Sequence, residues 1–197
     1  SGRGNNFTLG DGVTASTMPT KMQSSGNSFD GGDWMKASSV SVGSYNPSGL
    51  SCCILYNSSI TGSTQSLASK SAGLVTNSEW YSFINVNNNV RGTVYLSPAS
   101  QGNATVNASV PGSLRFICFA VAPSMPMIVY DGKTFTVGVS SVASWNSGFQ
   151  TLTLGARADG AVLFTGKMFY FSLYPFALSR IQILEEYRLA LADIGKV

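Results

Sequence analysis

The chain has 197 residues, of which 11% are charged, and a formal net charge of +3. This length favours one domain with a sizeable core, and the low charge favours a polar, nearly neutral surface. The lysines and arginines are scattered singly, which argues against nucleic acid as a partner because binding to phosphates needs clustered cations. No apolar run reaches the roughly 18 residues of a membrane span, so no membrane partner is expected.

Histidine and cysteine usage narrows the chemistry that is open to this chain. There is no histidine, which excludes a Ser–His or Cys–His nucleophile pair and any histidine metal ligand. The three cysteines are Cys52, Cys53 and Cys118. Adjacent cysteines rarely bridge each other and the number is odd, so we expect three buried free thiols that act as small apolar groups. Free thiols favour assembly in a reducing cytosol over secretion.

The chain begins with a polar stretch and continues as a series of short strands. Residues 1–26 hold few large apolar groups and predict an extended arm, with a short strand at Phe7–Leu9. Residues 27–197 predict one β-sandwich domain, because short strands alternate with turn residues. In it "SVSVG" (39–43) alternates like a half-buried strand, and "LSCCILY" (50–56) is a continuous apolar run, which suggests a strand covered on both faces.

Two hairpins are expected further along the chain. "EWYSFINV" and "GTVYLS" form the arms of the first, with "NNNVRG" near its turn. The second lies in "MPMIVYDGKTFTV", where Asp131 and Gly132 predict a tight turn with positive φ angles. "SLRFICFAVA" predicts the most buried strand, and "FQTLTLG" and "GKMFYFSLY" complete the set.

The end of the chain predicts a helix. Pro175 ends the last strand, because proline cannot donate to a β-ladder. Ser179 fits a helix N-cap, and Gln182 completes a capping box with it, so we expect about three turns that start within two residues of Arg180. The expected apolar face consists of Ile183, Leu184, Tyr187, Ala190, Leu191 and Ile194. The expected polar face consists of Gln182, Glu185, Glu186 and Asp193.

Five motifs follow one another in an order that resembles a known family. They are "SFDGGDW" (28–34), "IVYDGKTF" (128–135), "LTLGAR" (152–157), "LFTGKMFYFSLY" (163–174) and "FALSRIQILEEY" (176–187). Their order and spacing resemble the laminin-G-like members of the concanavalin A-like lectin and glucanase superfamily. The Gly- and Thr-rich lead-in "LGDGVTASTMPT" (9–20) resembles the form found in phage structural proteins. This chain lacks the residue that the family has between Tyr130 and Asp131, and residues 58–112 carry little signature.

The resemblance implies an all-β fold, a two-sheet antiparallel jelly-roll sandwich with one short C-terminal helix that covers an open end. Phe116, Phe164, Phe169 and Phe171 are expected to be mostly buried, and the last three have the bulk to fill the space between two stacked sheets. Glucanases of this fold use carboxylates that alternate along a strand, since two carboxyl groups must face one sugar. Glu79, Glu185 and Glu186 do not form such a pattern, so no enzyme activity is expected.

Relatives of this kind often bind calcium through rim loops, and Asp159 in "GARADGAV" is the candidate ligand. Asp30 and Asp33 lie near a strand start, where they are equally suited to a structural turn. A glycan site is suggested by Trp145, whose ring could stack on a sugar while Asn146 bonds its hydroxyl groups. Tyr45 is a second aromatic residue in a predicted loop, and it is an equal candidate for binding a sugar.

Three functions remain open at this point. The first is a non-catalytic structural or attachment module of a virus particle, either a capsid decoration or a tail appendage protein, that binds other virion subunits or itself and also surface glycans. It would be assembled in the host cytoplasm and reside in the virion. The second is a free, extracellular, lectin-like carbohydrate-binding module. The third is a glycan-active enzyme, which the missing carboxylates and histidines oppose.

Overall fold

A computed structural model describes residues 8–10, 26–40, 49–59, 62–71, 78–84, 89–97, 100–106, 112–123, 125–140, 150–157 and 161–196. In chain order its strands are β1 (Thr8–Gly10), β2 (Asn27–Asp30), β3 (Trp34–Val40), β4 (Leu50–Ser58), β5 (Gln65–Ser71), β6 (Ser78–Ile84), β7 (Val90–Ser97), β8 (Ser100–Val106), β9 (Arg115–Val121), β10 (Ile128–Tyr130), β11 (Phe135–Val137), β12 (Val139–Ser140), β13 (Gln150–Leu154) and β14 (Thr165–Tyr174). One helix, α1 (Arg180–Ala192), follows them. The described chain is therefore mostly β, as predicted.

The strands form two sheets. The larger has eight strands in the order β1-β3-β13-β5-β6-β7-β8-β12, and the smaller has six in the order β11-β10-β9-β4-β14-β2. Every strand pair with a described register is antiparallel. This confirms the two-sheet antiparallel jelly-roll sandwich. Strand β1 pairs with β3 and begins one residue later than the strand expected at Phe7–Leu9. The other residues of the expected arm, apart from Gly26, lie outside the described residues.

The central strands β4 and β9 of the six-stranded sheet are buried on both faces, which explains the continuous apolar run in β4. Its residues alternate between two apolar clusters: Cys52 and Ile54 face the eight-stranded sheet, whereas Cys53 and Leu55 face outward. Strand β9, which pairs with β4, alternates in the same way and is buried along six of its seven residues. Both strands are thus covered on both faces, as their apolar sequences predict.

Close packing between the sheets restricts side-chain size at particular positions. Gly92, on β7, lies under the ring of Phe119 from β9, and a Cβ built there would fall 2.1 Å from the ring's Cδ1 atom. Phe164 is fully buried and makes edge contacts with Phe29 and Tyr56, at ring-centroid distances of 5.7 and 6.2 Å. The expected burial of Phe116 and Phe164 is confirmed.

The prediction for Phe169 and Phe171 is only partly right, because of a bulge in β14. The register with β4 shifts between Met168 and Tyr170. Met168 and Phe171 consequently pack in the cluster between the sheets, whereas Phe169 and Tyr170 both pack in the outer cluster. Phe169 does not fill the space between the sheets, and both phenylalanines are half-buried rather than buried. An extra residue in one strand cannot be detected from the alternation of that strand alone.

Helix α1 covers a face of the sandwich, not an open end as expected. Its buried residues Ile183 and Ala190 join the outer cluster of the six-stranded sheet. The segment before the helix is fixed by Ser51 of β4, whose hydroxyl group donates to the carbonyl oxygen of Phe176 at 2.9 Å and accepts from the N–H of Leu178 at 2.8 Å. A buried serine at this position therefore ties the helix entrance to the central strand of its sheet.

The start of α1 is confirmed in detail. The Ser179 hydroxyl accepts from the Gln182 N–H at 3.4 Å, and the Gln182 side chain accepts from the Ser179 N–H at 2.9 Å. The predicted apolar face is confirmed at Ile183 and Ala190 and is wrong at Leu184, and the predicted polar face is wrong at Glu186. Leu184 is exposed, and Glu186 is only 7% exposed. The helix is thus rotated so that a carboxylate, rather than a leucine, faces the sheet.

The expected set of three free thiols is wrong. Cys53 and Cys118 are register partners on β4 and β9, and they form a disulfide bond. Directly opposed residues on antiparallel strands have their Cβ atoms close together, which is what a bridge needs. Cys52 points to the other face of β4 and is a buried free thiol, whose pKa burial raises. The adjacent pair in the sequence is therefore not the bonded pair.

The Asp131–Gly132 hairpin is confirmed, but its loop is longer than a two-residue turn. Tyr130 pairs with Phe135, so four residues connect β10 and β11. Gly132 has a φ of 83°, and one carboxylate oxygen of Asp131 accepts from the N–H groups of Lys133 and Thr134 at 2.9 and 2.6 Å. The aspartate side chain closes the loop itself, as is common for this residue in turns.

The hairpin also supports the helix. The ring centroid of Tyr130 lies 4.5 Å from the ring centroid of Phe135 and 5.7 Å from that of Tyr187 on α1. The guanidinium group of Arg180 lies 5.2 Å above the Phe135 ring. Aromatic and cation–π contacts of this kind add to the apolar burial that holds α1 in place.

Candidate functional site

The candidate glycan residues belong to two segments that start from one end of the eight-stranded sheet. Tyr45 lies in 41–48, after β3, and Trp145 and Asn146 lie in 141–149, before β13; all three are outside the described residues. The described residues that flank these segments, Val40 and Gln150, are register partners. Their Cα atoms are thus about 5 Å apart, since they face each other on antiparallel strands. Segments about 100 residues apart in the sequence thereby begin side by side.

Other connections leave the sheet at the same end. Ser71, the last residue of β5, pairs with Thr151 of β13 and with Ser78, the first residue of β6. The 72–77 connection therefore leaves next to the two candidate segments. Binding residues are commonly carried by loops that a rigid sheet holds together, so this end of the sandwich is the candidate ligand-binding end.

The candidate ligand-binding end also contains a buried lysine that the sequence pattern does not single out. Lys70, next to Ser71 on β5, is fully buried. It is the register partner of Leu152, which packs between the sheets. Directly opposed residues on antiparallel strands share a face, so Lys70 lies on the inner face of its sheet. Within a strand of Ser, Ala and Leu, one lysine gives no pattern that would predict its burial.

The calcium candidate is attached at the other end of β13. Asp159 lies in 158–160, outside the described residues; the residues on either side are joined by a hydrogen bond from the Arg157 N–H to the Ala161 carbonyl oxygen at 2.9 Å. Asp30 accepts from the Gly32 N–H at 2.8 Å, and Asp33 accepts from the Asp30 N–H at 3.0 Å. Both carboxylates thus serve the turn in which the chain passes from one sheet to the other.

Among the described residues, no group of three or more acidic or cysteine side chains is arranged to hold a metal ion. A calcium site needs at least six oxygen ligands, and the two turn aspartates already accept backbone hydrogen bonds. Asp159 accordingly remains a candidate from the sequence alone.

Glu186 is a chemically distinctive group within the described part of the chain. It lies on the buried face of α1 and accepts three hydrogen bonds from hydroxyl groups of β14. Tyr170 and Ser172 donate to its Oε2 atom, both at 2.7 Å, and Tyr174 donates to its Oε1 atom at 2.5 Å. Hydrogen bonds from three hydroxyl groups satisfy this buried carboxylate.

This arrangement is suited to holding a helix on a sheet rather than to catalysis. Burial, followed by the hydrogen bond to Glu186, raises the pKa of Tyr174 to about 12, and the same causes raise the pKa of Tyr170. A phenol with a raised pKa stays neutral near neutral pH and is a poor nucleophile. The neighbouring Glu185 is exposed, so the two adjacent glutamates do not face one substrate. A glycosidase needs two carboxyl groups that do.

The length of the helix and comparisons with known proteins bear on the type of protein. Within the described residues, α1 is not long and apolar enough to span a membrane. No protein-family model and no curated protein matches the chain. Solved structures, in contrast, match over most of its length.

Three of these structures are informative. A native heptameric SAP-like pentraxin from Limulus polyphemus is 13% identical, has a TM-score of 0.62, and the match covers 79% of this chain and 78% of that one. The binding domain of botulinum neurotoxin DC in complex with SialylT is 11% identical, with a TM-score of 0.65 and coverage of 94% and 45%. Ruminococcus gnavus IT-sialidase CBM40, bound to alpha2,3 sialyllactose, is 13% identical, with a TM-score of 0.58 and coverage of 72% and 83%.

At these identities the likeness defines the fold, a jelly-roll sandwich of the concanavalin A-like type. The chain spans less than half of the botulinum neurotoxin structure that it matches. The narrower resemblance to laminin-G-like domains of phage structural proteins stays a prediction.

Proposed function

We propose that this chain is a non-catalytic glycan-binding module whose site lies at the candidate ligand-binding end, with Trp145, Asn146 and Tyr45 as its contact residues. The register pair of Val40 with Gln150 is the observation that supports this most directly. Two segments that leave from neighbouring strand ends can reach one ligand. A sugar ring presents a C–H face that stacks on an aromatic ring, and its hydroxyl groups bond a side-chain amide.

Sialylated glycans are the ligand class that we favour. Two of the structural neighbours, the botulinum neurotoxin domain and the Ruminococcus module, carry a sialylated ligand in their structures. Such a ligand is an anion, and the formal net charge of this chain is +3. The charge assists encounter with an anionic surface, although it does not determine specificity.

The proposal is tested by titrating the protein with sialyllactose and, in parallel, with lactose, by isothermal calorimetry or by ligand-observed NMR. We expect binding of sialyllactose and at least about tenfold weaker binding by the Trp145→Ala variant, since aromatic anchors dominate binding sites. Phe176→Ala is the matched control, because Phe176 is an aromatic residue that is 38% exposed beside α1. Equal binding by both variants, or no binding by the wild type, would contradict the proposed site.

The absence of catalysis is part of the same proposal. Glu186 accepts hydrogen bonds from three hydroxyl groups, and the adjacent Glu185 is exposed to solvent. We expect no turnover of β-glucans, alginates or capsular polysaccharides above a blank. Turnover that is lost in Glu79→Gln, Glu185→Gln or Glu186→Gln would overturn this.

The more specific proposal is that the module is a structural or attachment subunit of a virus particle, either a capsid decoration or a tail appendage, and that residues 1–26 form an arm that contacts neighbouring subunits. The polar, weakly charged composition and the Gly- and Ser-rich residues 1–26 support it. Sedimentation distinguishes the alternatives. A virion subunit sediments with particles, whereas a free extracellular lectin is retained on a sialylated matrix and does not.

A further inference from the structure

The outward face of α1 is unusually apolar for a surface helix. Six large apolar side chains are exposed in the described part of the chain, namely Met125, Val137, Phe176, Ile181, Leu184 and Leu189. Three of them lie on α1, where Ile181 is 72% exposed, Leu189 is 55% exposed and Leu184 is 36% exposed. Single exposed apolar residues are common, but a group of them on one helix marks an interaction surface.

The spacing of the exposed residues defines a stripe along α1. Ile181, Glu185, Arg188 and Ala192 are all exposed and follow one another at intervals of four, three and four residues. Such intervals place residues in one line on a helix, in the manner of a coiled-coil seam. Leu184 lies on one side of this line and Leu189 on the other, so the charged pair is flanked by apolar groups.

We propose that this stripe binds the same stripe of a second copy of the chain, with the two helices antiparallel about a two-fold axis. When the axis passes between positions 186 and 187, Glu185 of each copy lies level with Arg188 of the other. The same symmetry sets Ile181 level with Ala192 of the other copy. An isologous contact requires a surface that complements itself, and one acidic and one basic residue in symmetric positions satisfy this requirement.

The charge arrangement favours a second copy over an unrelated partner. In an antiparallel pair the two-fold axis produces two Glu–Arg contacts, because each copy supplies both Glu185 and Arg188. In a parallel pair, Glu185 would instead lie level with the other Glu185, and like charges at this distance repel. Antiparallel packing is therefore the arrangement that the sequence of the stripe stabilises.

The contact is small. Thirteen helical residues extend over about 20 Å, so the buried area falls at the lower end of the range for specific complexes. We therefore expect reversible dimerisation that depends on protein concentration and on salt. The inference is independent of the proposed glycan site, since it uses only described residues of α1 and a face that the sandwich does not cover.

Sedimentation equilibrium of the whole chain over a concentration series tests the dimer, with variants that reverse one charge at a time. Glu185→Arg gives two like-charged contacts per dimer, and so does Arg188→Glu, so each variant should dimerise at least about tenfold more weakly than wild type. An equimolar mixture of the two variants restores both contacts and should associate as wild type does. Unfolding curves of each variant verify that the sandwich remains intact.

The mixture distinguishes pairing between copies from any effect on the helix itself, because each variant keeps its own substitution when the two are mixed. Recovery of association only in the mixture supports the antiparallel pair. A wild-type chain that stays monomeric over the whole series overturns the proposal, and so do variants that dimerise like wild type. An assembly of more than two copies through this face also overturns it, because an isologous contact closes at two.

Discussion

Replacing Glu186 by alanine removes the carboxylate that joins α1 to β14. Three hydrogen bonds, at 2.7, 2.7 and 2.5 Å, are lost together. A hydrogen bond to a charged group contributes about 1.5–3 kcal/mol, but the three donors are only half-buried and can turn to water in the variant. The alanine variant also no longer buries a charge, and this offsets a further part of the lost stability. We therefore expect Glu186→Ala to lower the free energy of unfolding by about 2–4 kcal/mol.

Chemical denaturation followed by circular dichroism measures this change, and Glu185→Ala is the matched control. The two glutamates are adjacent on one helix, but Glu185 is exposed, so its loss should change the unfolding free energy by less than about 0.5 kcal/mol. A loss in Glu186→Ala no larger than in Glu185→Ala would refute the role assigned to the carboxylate.

The same contact predicts a pH dependence. The pKa of Tyr174 is raised from 10.0 to about 12, first by burial and then by Glu186. The folded state thus favours the neutral phenol, and this contribution to stability is fully present below pH 10.0 and is lost as pH rises through about 12. In Glu186→Ala the tyrosinate absorbance should rise at lower pH than in wild type, yet still above the ordinary range because burial persists. An unchanged titration would contradict the hydrogen bond.

Two further predictions concern the core and the cysteines. Phe164→Ala should lower the free energy of unfolding by about 3–5 kcal/mol, since Phe164 is fully buried between the sheets. Phe169→Ala should lower it by less, because the Phe169 ring is half-buried in the outer cluster. Equal losses in the two variants would contradict the bulge in β14. A thiol assay on the denatured, unreduced chain should detect one free cysteine, Cys52, and three would disprove the Cys53–Cys118 bridge.

Local sequence signals were sufficient for β4 and for the start of the helix, but β5, β8 and β12 were not predicted from them. The apolar run of β4 predicts a strand covered on both faces, because alternate residues leave a strand on opposite sides. Ser179 and Gln182 define the N-terminus of α1 because their bonds join residues three positions apart. These features involve neighbours in the chain, so the sequence by itself determined them.

The rotation of α1, in contrast, could not be predicted from neighbours in the chain. Helical spacing favours Leu184 over Glu186 for the buried face, since leucine gains more from burial. The outcome depends on hydroxyl groups of Tyr170, Ser172 and Tyr174, which lie on another element and are brought to the helix by the bulge in β14. The hydroxyl donors make Glu186 rather than Leu184 the buried residue. They belong to β14, so the sequence pattern of the helix does not reveal them.

Strand register decided the remaining points. Cys53 bonds Cys118 rather than Cys52, and the segments that carry Tyr45 and Trp145 start side by side, because β9 pairs with β4 and β13 pairs with β3. Each pairing joins residues that are far apart in the sequence. Periodicity and the capping motif predicted a β-sandwich with a capped C-terminal helix, and the family resemblance implied that its sheets are antiparallel. Only the tertiary structure decided which residues meet, since contacts across a sheet depend on register and not on distance along the chain.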